Sequence, residues 1–248
     1  MPVQTADAST IISPSTSRDR LIVALDYPDA AGALALVDRL EDSVSRFKVG
    51  LELYIGAGNT IVHTLVRHGF SVFLDLKLHD IPNQVAGAVR TASHSGASLL
   101  TIHAGGGPAM IEAAAKSAAE AENAPKLLAV TVLTSMDQKQ LAAIGVQGTP
   151  AEQVERLARM AIDAGADGLV CSAEESGHLR QFLGPKPLLV VPGIRPAGAA
   201  LGDQKRVATP DAALRSGASY LVVGRPITEA SDPKAAAQAI LASMAEAI

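Results

Sequence analysis

The chain has 248 residues, 48% of them apolar and 19% charged, which suits one large core and excludes a disordered polymer. Lys and Arg number 21 against 25 Asp and Glu, and the net charge of −4 argues against broad contact with a nucleic-acid backbone. Aromatics make up 3%, too few for a base-stacking platform, and the single cysteine, Cys171, allows no intrachain disulfide and fits a reducing, cytoplasmic setting.

Residues 1–18 are rich in Ser, Thr, Asp and Pro. They lack a basic start followed by an apolar stretch, so they read as a loose tail and not as a signal peptide. No apolar run approaches the roughly 18–20 residues of a membrane span. Beyond the tail, short apolar runs predict strands over 21–25, 47–50, 72–77, 99–103, 127–133, 168–171, 188–191 and 220–223. Ala-rich segments with apolar residues at spacings of three and four predict helices over 30–40, 60–68, 83–95, 108–121, 150–164, 173–182, 210–216 and 233–247. Pro108, Pro150, Pro210 and Pro233 sit near predicted helix starts, and Gly69, Gly96, Gly165 and Gly217 sit just past predicted helix ends.

Strands alternating with helices imply a parallel sheet covered on its faces. Eight such units predict an α/β fold of one domain, a closed (β/α)8 TIM barrel over residues 19–248. An open doubly wound sheet is the alternative. Two connections are long, one from Thr134 to about Thr149 and one from Gly193 to about Thr209. On a barrel both lie at the C-terminal face, where lids form.

Charges concentrate at the strand ends. Alternate residues of a barrel strand face inward. If Leu21, Val23 and Leu25 face the helices, Asp26 points into the mouth; with Phe47 and Val49 outward, Lys48 points inward. Leu74, Leu76 and Leu78 share the outer face, so Asp75 and Lys77 share the inner one. One Asp-x-Lys reads as a structural ion pair. Four converging charges must pair, because burying an isolated charge is too costly, and an alternating array can keep its members ionised.

The seventh strand runs into Pro192-Gly-Ile-Arg195 and the eighth into Gly224-Arg225. Barrels often bind phosphate after these two strands, with a glycine that admits the ligand to the backbone and an arginine fork that grips it. No zinc pattern stands out among the six histidines, and there is no Cys-x-x-Cys. His79 and His103 end strands and read as satisfied core or hydrogen-bonding histidines and not as ligands. Gly105-Gly106-Gly107 reads as a tight turn, and Cys171 as a buried hydrophobe.

The run Asp75-Leu-Lys77-Leu-His-Asp80-Ile81-Pro-Asn83 resembles the signature of the orotidine 5′-phosphate decarboxylase family, which carries Asp-x-Lys-x-x-Asp in this strand and turn. Matching segments follow in order: Ala24-Leu-Asp26, Lys48-Val-Gly50, Val130-Thr-Val-Leu-Thr134-Ser135, Pro192-Gly-Ile-Arg195, Gly202-Asp-Gln204 and Val223-Gly224-Arg225. The resemblance implies decarboxylation of orotidine 5′-phosphate to uridine 5′-phosphate, with no metal and no organic cofactor. It also implies a homodimer with two sites at the interface.

By the same resemblance Lys48, Asp75 and Lys77 belong to one subunit's catalytic group, and Asp80 reaches in from the partner. Asp26 and Lys48 would contact the ribose, with Ile81 and Gln84 at the partner's side of the site. Gln84 replaces the family's usual Thr. Thr134 and Ser135 would border and bind the pyrimidine, and Pro192 would also contact the substrate. Gln204, Arg225 and the Gly224 N–H would hold the phosphate, with Arg195 in the same closing region. Two alternatives remain open. One is a Mg²⁺-dependent sugar-phosphate aldolase or decarboxylase of the same barrel type, which places Glu where Lys48 stands. The other is a non-catalytic barrel that binds phosphorylated ligands.

Overall fold

Each short apolar run pairs in parallel with the next, and the eighth returns to the first. The computed structural model describes Pro14, residues 16–196 and residues 208–247. Thr16 caps α1 (Ser17–Arg20), which leads into β1 (Leu21–Leu25). There follow α2 (Ala30–Leu40), β2 (Arg46–Gly50), α3 (Leu51–Ala57), α4 (Asn59–Arg67) and β3 (Ser71–Leu78). The next units are α5 (Pro82–Ser93), β4 (Leu99–His103), α6 (Pro108–Ala119) and β5 (Lys126–Val130). Then come α7 (Gln138–Ala143), α8 (Pro150–Asp163), β6 (Gly168–Val170), α9 (Ala173–Leu183) and β7 (Leu188–Val191). The chain ends with α10 (Pro210–Arg215), β8 (Tyr220–Val223), α11 (Arg225–Thr228) and α12 (Pro233–Ala245). Neighbours run β1 to β8 in sequence order and close into a barrel, so the fold is a (β/α)8 barrel and not an open sheet.

Most predicted bounds hold. The first, fourth, seventh and eighth strands match at both ends. The fifth strand stops at Val130, three residues early, because its partner β6 offers only three residues, which pair with Leu128, Ala129 and Val130. Cys171 likewise falls just beyond β6. Helices α3, α7 and α11 lie in stretches read as connections. Most of the expected tail lies outside the described residues, and Ser17 and Arg18 open α1. Gly105-Gly106 belongs to a single 3₁₀ turn, Ala104–Gly106, which leads into α6.

Local chemistry explains the ends. Pro108, Pro150, Pro210 and Pro233 each open a helix, where the missing N–H costs nothing. Thr149 and Glu152 form a capping box on α8: Thr149 Oγ1 accepts the Glu152 N–H at 3.2 Å, and Glu152 accepts the Thr149 N–H at 2.7 Å. Gly217 follows α10 with φ of 96°, left-handed backbone that costs a side chain dearly, and a Cβ there would meet Arg180 at 2.8 Å.

Two apolar layers hold the barrel. Leu21, Val23 and Leu25 pack outward against the helices, as alternation requires. Ile22, Ala24, Phe73, Leu99, Leu128, Leu188, Val190, Tyr220 and Val222 fill the interior. Each fully buried Leu or Val contributes roughly 1.5–3 kcal/mol. The interior layers leave the C-terminal ends of β1, β2 and β3 to carry charge. Among the described residues no helix is long and apolar enough to cross a membrane.

Candidate active site

Four ionic groups form a chain across three neighbouring strand ends. Lys48 Nζ donates to Asp26 Oδ1 at 3.1 Å and lies 3.7 Å from Asp75 Oδ2. Lys77 Nζ donates to Asp75 Oδ1 at 2.9 Å. The order is Asp26, Lys48, Asp75, Lys77, with signs alternating and charges cancelling. Asp75 and Lys48 are the buried middle of the chain, with side chains 14% and 13% exposed, and Asp26 is its open end at 61%. Opposite charges about 4 Å apart attract by roughly 4 kcal/mol at an effective dielectric near 20, which offsets the loss of hydration in the middle.

The alternation that places Asp75 and Lys77 inward has a break in it. Leu74 pairs with Leu100, but Leu78 pairs with Ile102, so 75, 76 and 77 face Thr101 alone. Lys77 takes up the surplus with φ of 51°, a left-handed conformation that costs a non-glycine residue roughly 1–3 kcal/mol. Bulges beside active sites re-aim side chains in this way. Thr101 was not among the residues singled out by sequence. It is fully buried; its hydroxyl accepts the Lys77 N–H at 2.8 Å and donates to Asp75 Oδ1 at 3.0 Å.

A cavity of about 180 Å³ opens on this array. Lys48, Asp75 and Lys77 form its polar side; Phe73, Val130, Val132, Val170 and Val222 are among its apolar walls. Thr134, Pro192 and Cys171 also line it. Cys171 is thus buried, as expected, but at the cavity wall. An engineered apolar cavity of ~150 Å³ accepts benzene, so the space suits one six-membered ring. The residues between Val130 and α7 leave the sheet to form part of this wall, which is why the fifth strand is shorter than its apolar run.

The turns expected from the sequence to hold phosphate follow β7 and β8. Gly224 sits between β8 and Arg225, and a Cβ on it would lie 3.6 Å from Asp26 Oδ2, so the β8 turn adjoins the open end of the array. Arg225 opens α11 and is exposed. Arg195 is buried; its backbone N–H reaches Ala208 O at 3.0 Å, and its guanidinium donates to Ile194 O at 2.9 Å. Gln204 lies outside the described residues.

The remaining expected residues stand apart from the array. Ser135 is exposed and absent from the cavity wall. Asp80, Ile81 and Gln84 are exposed in the turn and first helical residues after β3. The Asp80 carboxylate accepts the Ile81 N–H at 2.7 Å and makes no ion pair among the described residues. Beside them His79 and His103 stack, centroids 4.9 Å apart and planes 11° apart. His103 Nδ1 accepts the Gly105 N–H at 3.1 Å. Burial, then the neighbouring His79 and Lys77, hold His103 below the usual imidazole range. No cluster of three or more His, Cys, Asp or Glu suited to a metal occurs among the described residues.

Residues 19–240 match the model of the family described as orotidine 5'-phosphate decarboxylase / HUMPS. An orotidine 5'-phosphate decarboxylase of Rhodopseudomonas palustris is 55% identical over 230 residues, 93% of this chain and 95% of the relative. One from Anaeromyxobacter is 53% identical over 226 residues, 91% of this chain and 98% of the relative. The crystal structure of orotidine 5'-phosphate decarboxylase from Lactobacillus acidophilus superposes with a TM-score of 0.81 at 41% identity, covering 90% of this chain and 98% of that one. The chain belongs to the orotidine 5'-phosphate decarboxylase / HUMPS family.

Proposed function

We propose that this chain decarboxylates orotidine 5′-phosphate to uridine 5′-phosphate and CO₂, a step of pyrimidine nucleotide synthesis, in the cytoplasm. The observation that carries the reading is the Lys48, Asp75, Lys77 array on the polar side of a ring-sized cavity. The close relatives bearing this activity in their names support it.

In this reading the bond from C6 to the carboxylate breaks, and its electron pair stays on C6. The ring offers no sink for that charge. The Lys77 ammonium stabilises the developing carbanion, then passes its proton to C6, and solvent restores the ammonium. Asp75, pinned between two cations, faces the departing carboxylate and raises the ground state. Asp26 and Lys48 take the ribose hydroxyls, Thr134 and Pro192 of the cavity wall border the base, and Ser135 would meet it only through a movement of the connection after β5. Arg225, the Gly224 N–H and Gln204 hold the phosphate, with Arg195 in the same region; that remote binding energy is spent on ordering the site.

The unit is a homodimer, in which Asp80, Ile81 and Gln84 act in the partner's site. Their exposure on one turn supports this assignment, as do the exposed apolar side chains Leu51, Ile55 and Ile81 on the adjacent connections after β2 and β3. A Mg²⁺-dependent alternative is disfavoured by Lys48, whose ammonium sits between Asp26 and Asp75 and would repel a cation.

The direct assay follows orotidine 5′-phosphate absorbance with purified protein, with and without EDTA. Rapid loss that EDTA leaves unchanged is expected. No loss from folded protein would contradict the activity, and loss abolished by EDTA would move the assignment to the metal-dependent enzymes.

A further inference from the structure

Thr101 makes two hydrogen bonds that bear on the array without lining the cavity itself. A hydroxyl has one proton to give. The Lys77 backbone N–H can only donate, so Thr101 Oγ1 accepts from it, and the single hydroxyl proton goes to Asp75 Oδ1. That same oxygen takes the Lys77 ammonium at 2.9 Å, while Oδ2 faces Lys48. One side chain therefore fixes both the rotation of the Asp75 carboxylate and the backbone from which Lys77 springs.

The backbone half of this arrangement matters because Lys77 is left-handed, φ 51°, at a point where the β3 and β4 register jumps. Regular ladder pairing cannot serve its N–H there, and a buried, unpaired N–H is costly. The Thr101 hydroxyl stands in for the missing ladder acceptor. Its removal frees Lys77 to relax toward ordinary strand geometry, which would turn the ammonium away from the position it now shares with Asp75.

We propose that Thr101 is a positioning residue for the decarboxylation, one hydroxyl that locks the Asp75 carboxylate and the strained Lys77 backbone into register. The proposal rests on the activity reading above. It concerns the chemical step more than binding, since Thr101 touches neither the phosphate turns nor the cavity.

The test compares Thr101→Val, nearly the same shape without the hydroxyl, with Thr101→Ser, which keeps it. Expected for Thr101→Val is a fall in kcat of roughly 10- to 100-fold with KM within about threefold of native. Thr101→Ser should recover most of the turnover. Where Thr101→Val does not fold, Thr101→Ala against Thr101→Ser gives the same contrast. Native kcat in the hydroxyl-free variant overturns the proposal, as does equal loss with and without the hydroxyl, which would mark a packing role. A native chain that does not turn over orotidine 5′-phosphate overturns the activity reading itself and the proposal with it.

Discussion

The ammonium of Lys48 occupies the space that a side chain at residue 50 would take: a Cβ built on Gly50 lies 2.8 Å from Lys48 Nζ. Gly50 has φ of −94°, which any residue adopts, so glycine is present here for room and not for backbone freedom. The clash falls on the mobile end of a lysine, which yields cheaply. Gly50→Ala should therefore still fold, with a modest fall in melting temperature from the disturbed ion pairs, while losing activity. With Lys48 displaced from Asp26 and Asp75, we expect kcat/KM to fall by about 100-fold, in line with a misplacement of roughly 1 Å. Steady-state kinetics beside a thermal melt separate the two effects; native kinetics would show that the Lys48 position is immaterial.

The turn after β8 adjoins the same array, through the 3.6 Å approach of a Gly224 Cβ position to Asp26 Oδ2. In the proposed reading, phosphate held there would be remote from the reacting carbon, and its binding energy could be spent on ordering the site. Arg225→Ala should lower kcat/KM by roughly 100-fold, about 2.7 kcal/mol. A substrate truncated to lack the phosphate should be turned over faster when phosphite dianion is added. Absence of that activation would remove the phosphate grip from the account.

Arg180 gives a prediction about stability alone. It leaves α9 and donates to Gly217 O twice, at 3.1 and 2.9 Å, and to the carbonyls of Gly184, Pro185 and Pro187 at 3.0, 3.0 and 2.9 Å. It also reaches Ser219 Oγ at 3.2 Å. One cation thus ties the turn before β7 to the turn before β8, and its burial draws the guanidinium pKa below the usual value. Arg180→Met should cost about 2–4 kcal/mol by leaving several carbonyls without a partner. At roughly 2–4 °C per kcal/mol a calorimetric scan would resolve this, with kcat of the folded fraction unchanged.

The strands were legible because a parallel barrel buries both faces, so each reads as a short apolar run. Lys48, Asp75 and Lys77 were legible because a charge amid alternating Leu and Val has only the barrel mouth to face. Thr101 was hidden, since its importance comes from a cross-strand register jump that no local pattern encodes. The left-handed Lys77 was hidden for the same reason; lysine carries no signal for that conformation. Helix α7 has six residues, too few for periodicity, and its one sign was the Asp137 and Gln140 capping box. Val132 and Leu133 serve the cavity wall and not the sheet, which made the fifth strand look longer than it is.

In the proposed mechanism the Lys77 ammonium, held 2.9 Å from Asp75, delivers the proton to C6. Lys77→Ala tests it most directly, with decarboxylation followed by absorbance and uridine 5′-phosphate binding measured on the same preparation. Expected is a folded protein that still binds product and shows no measurable turnover. Turnover near the native rate would contradict it, and another group would have to serve as the proton donor.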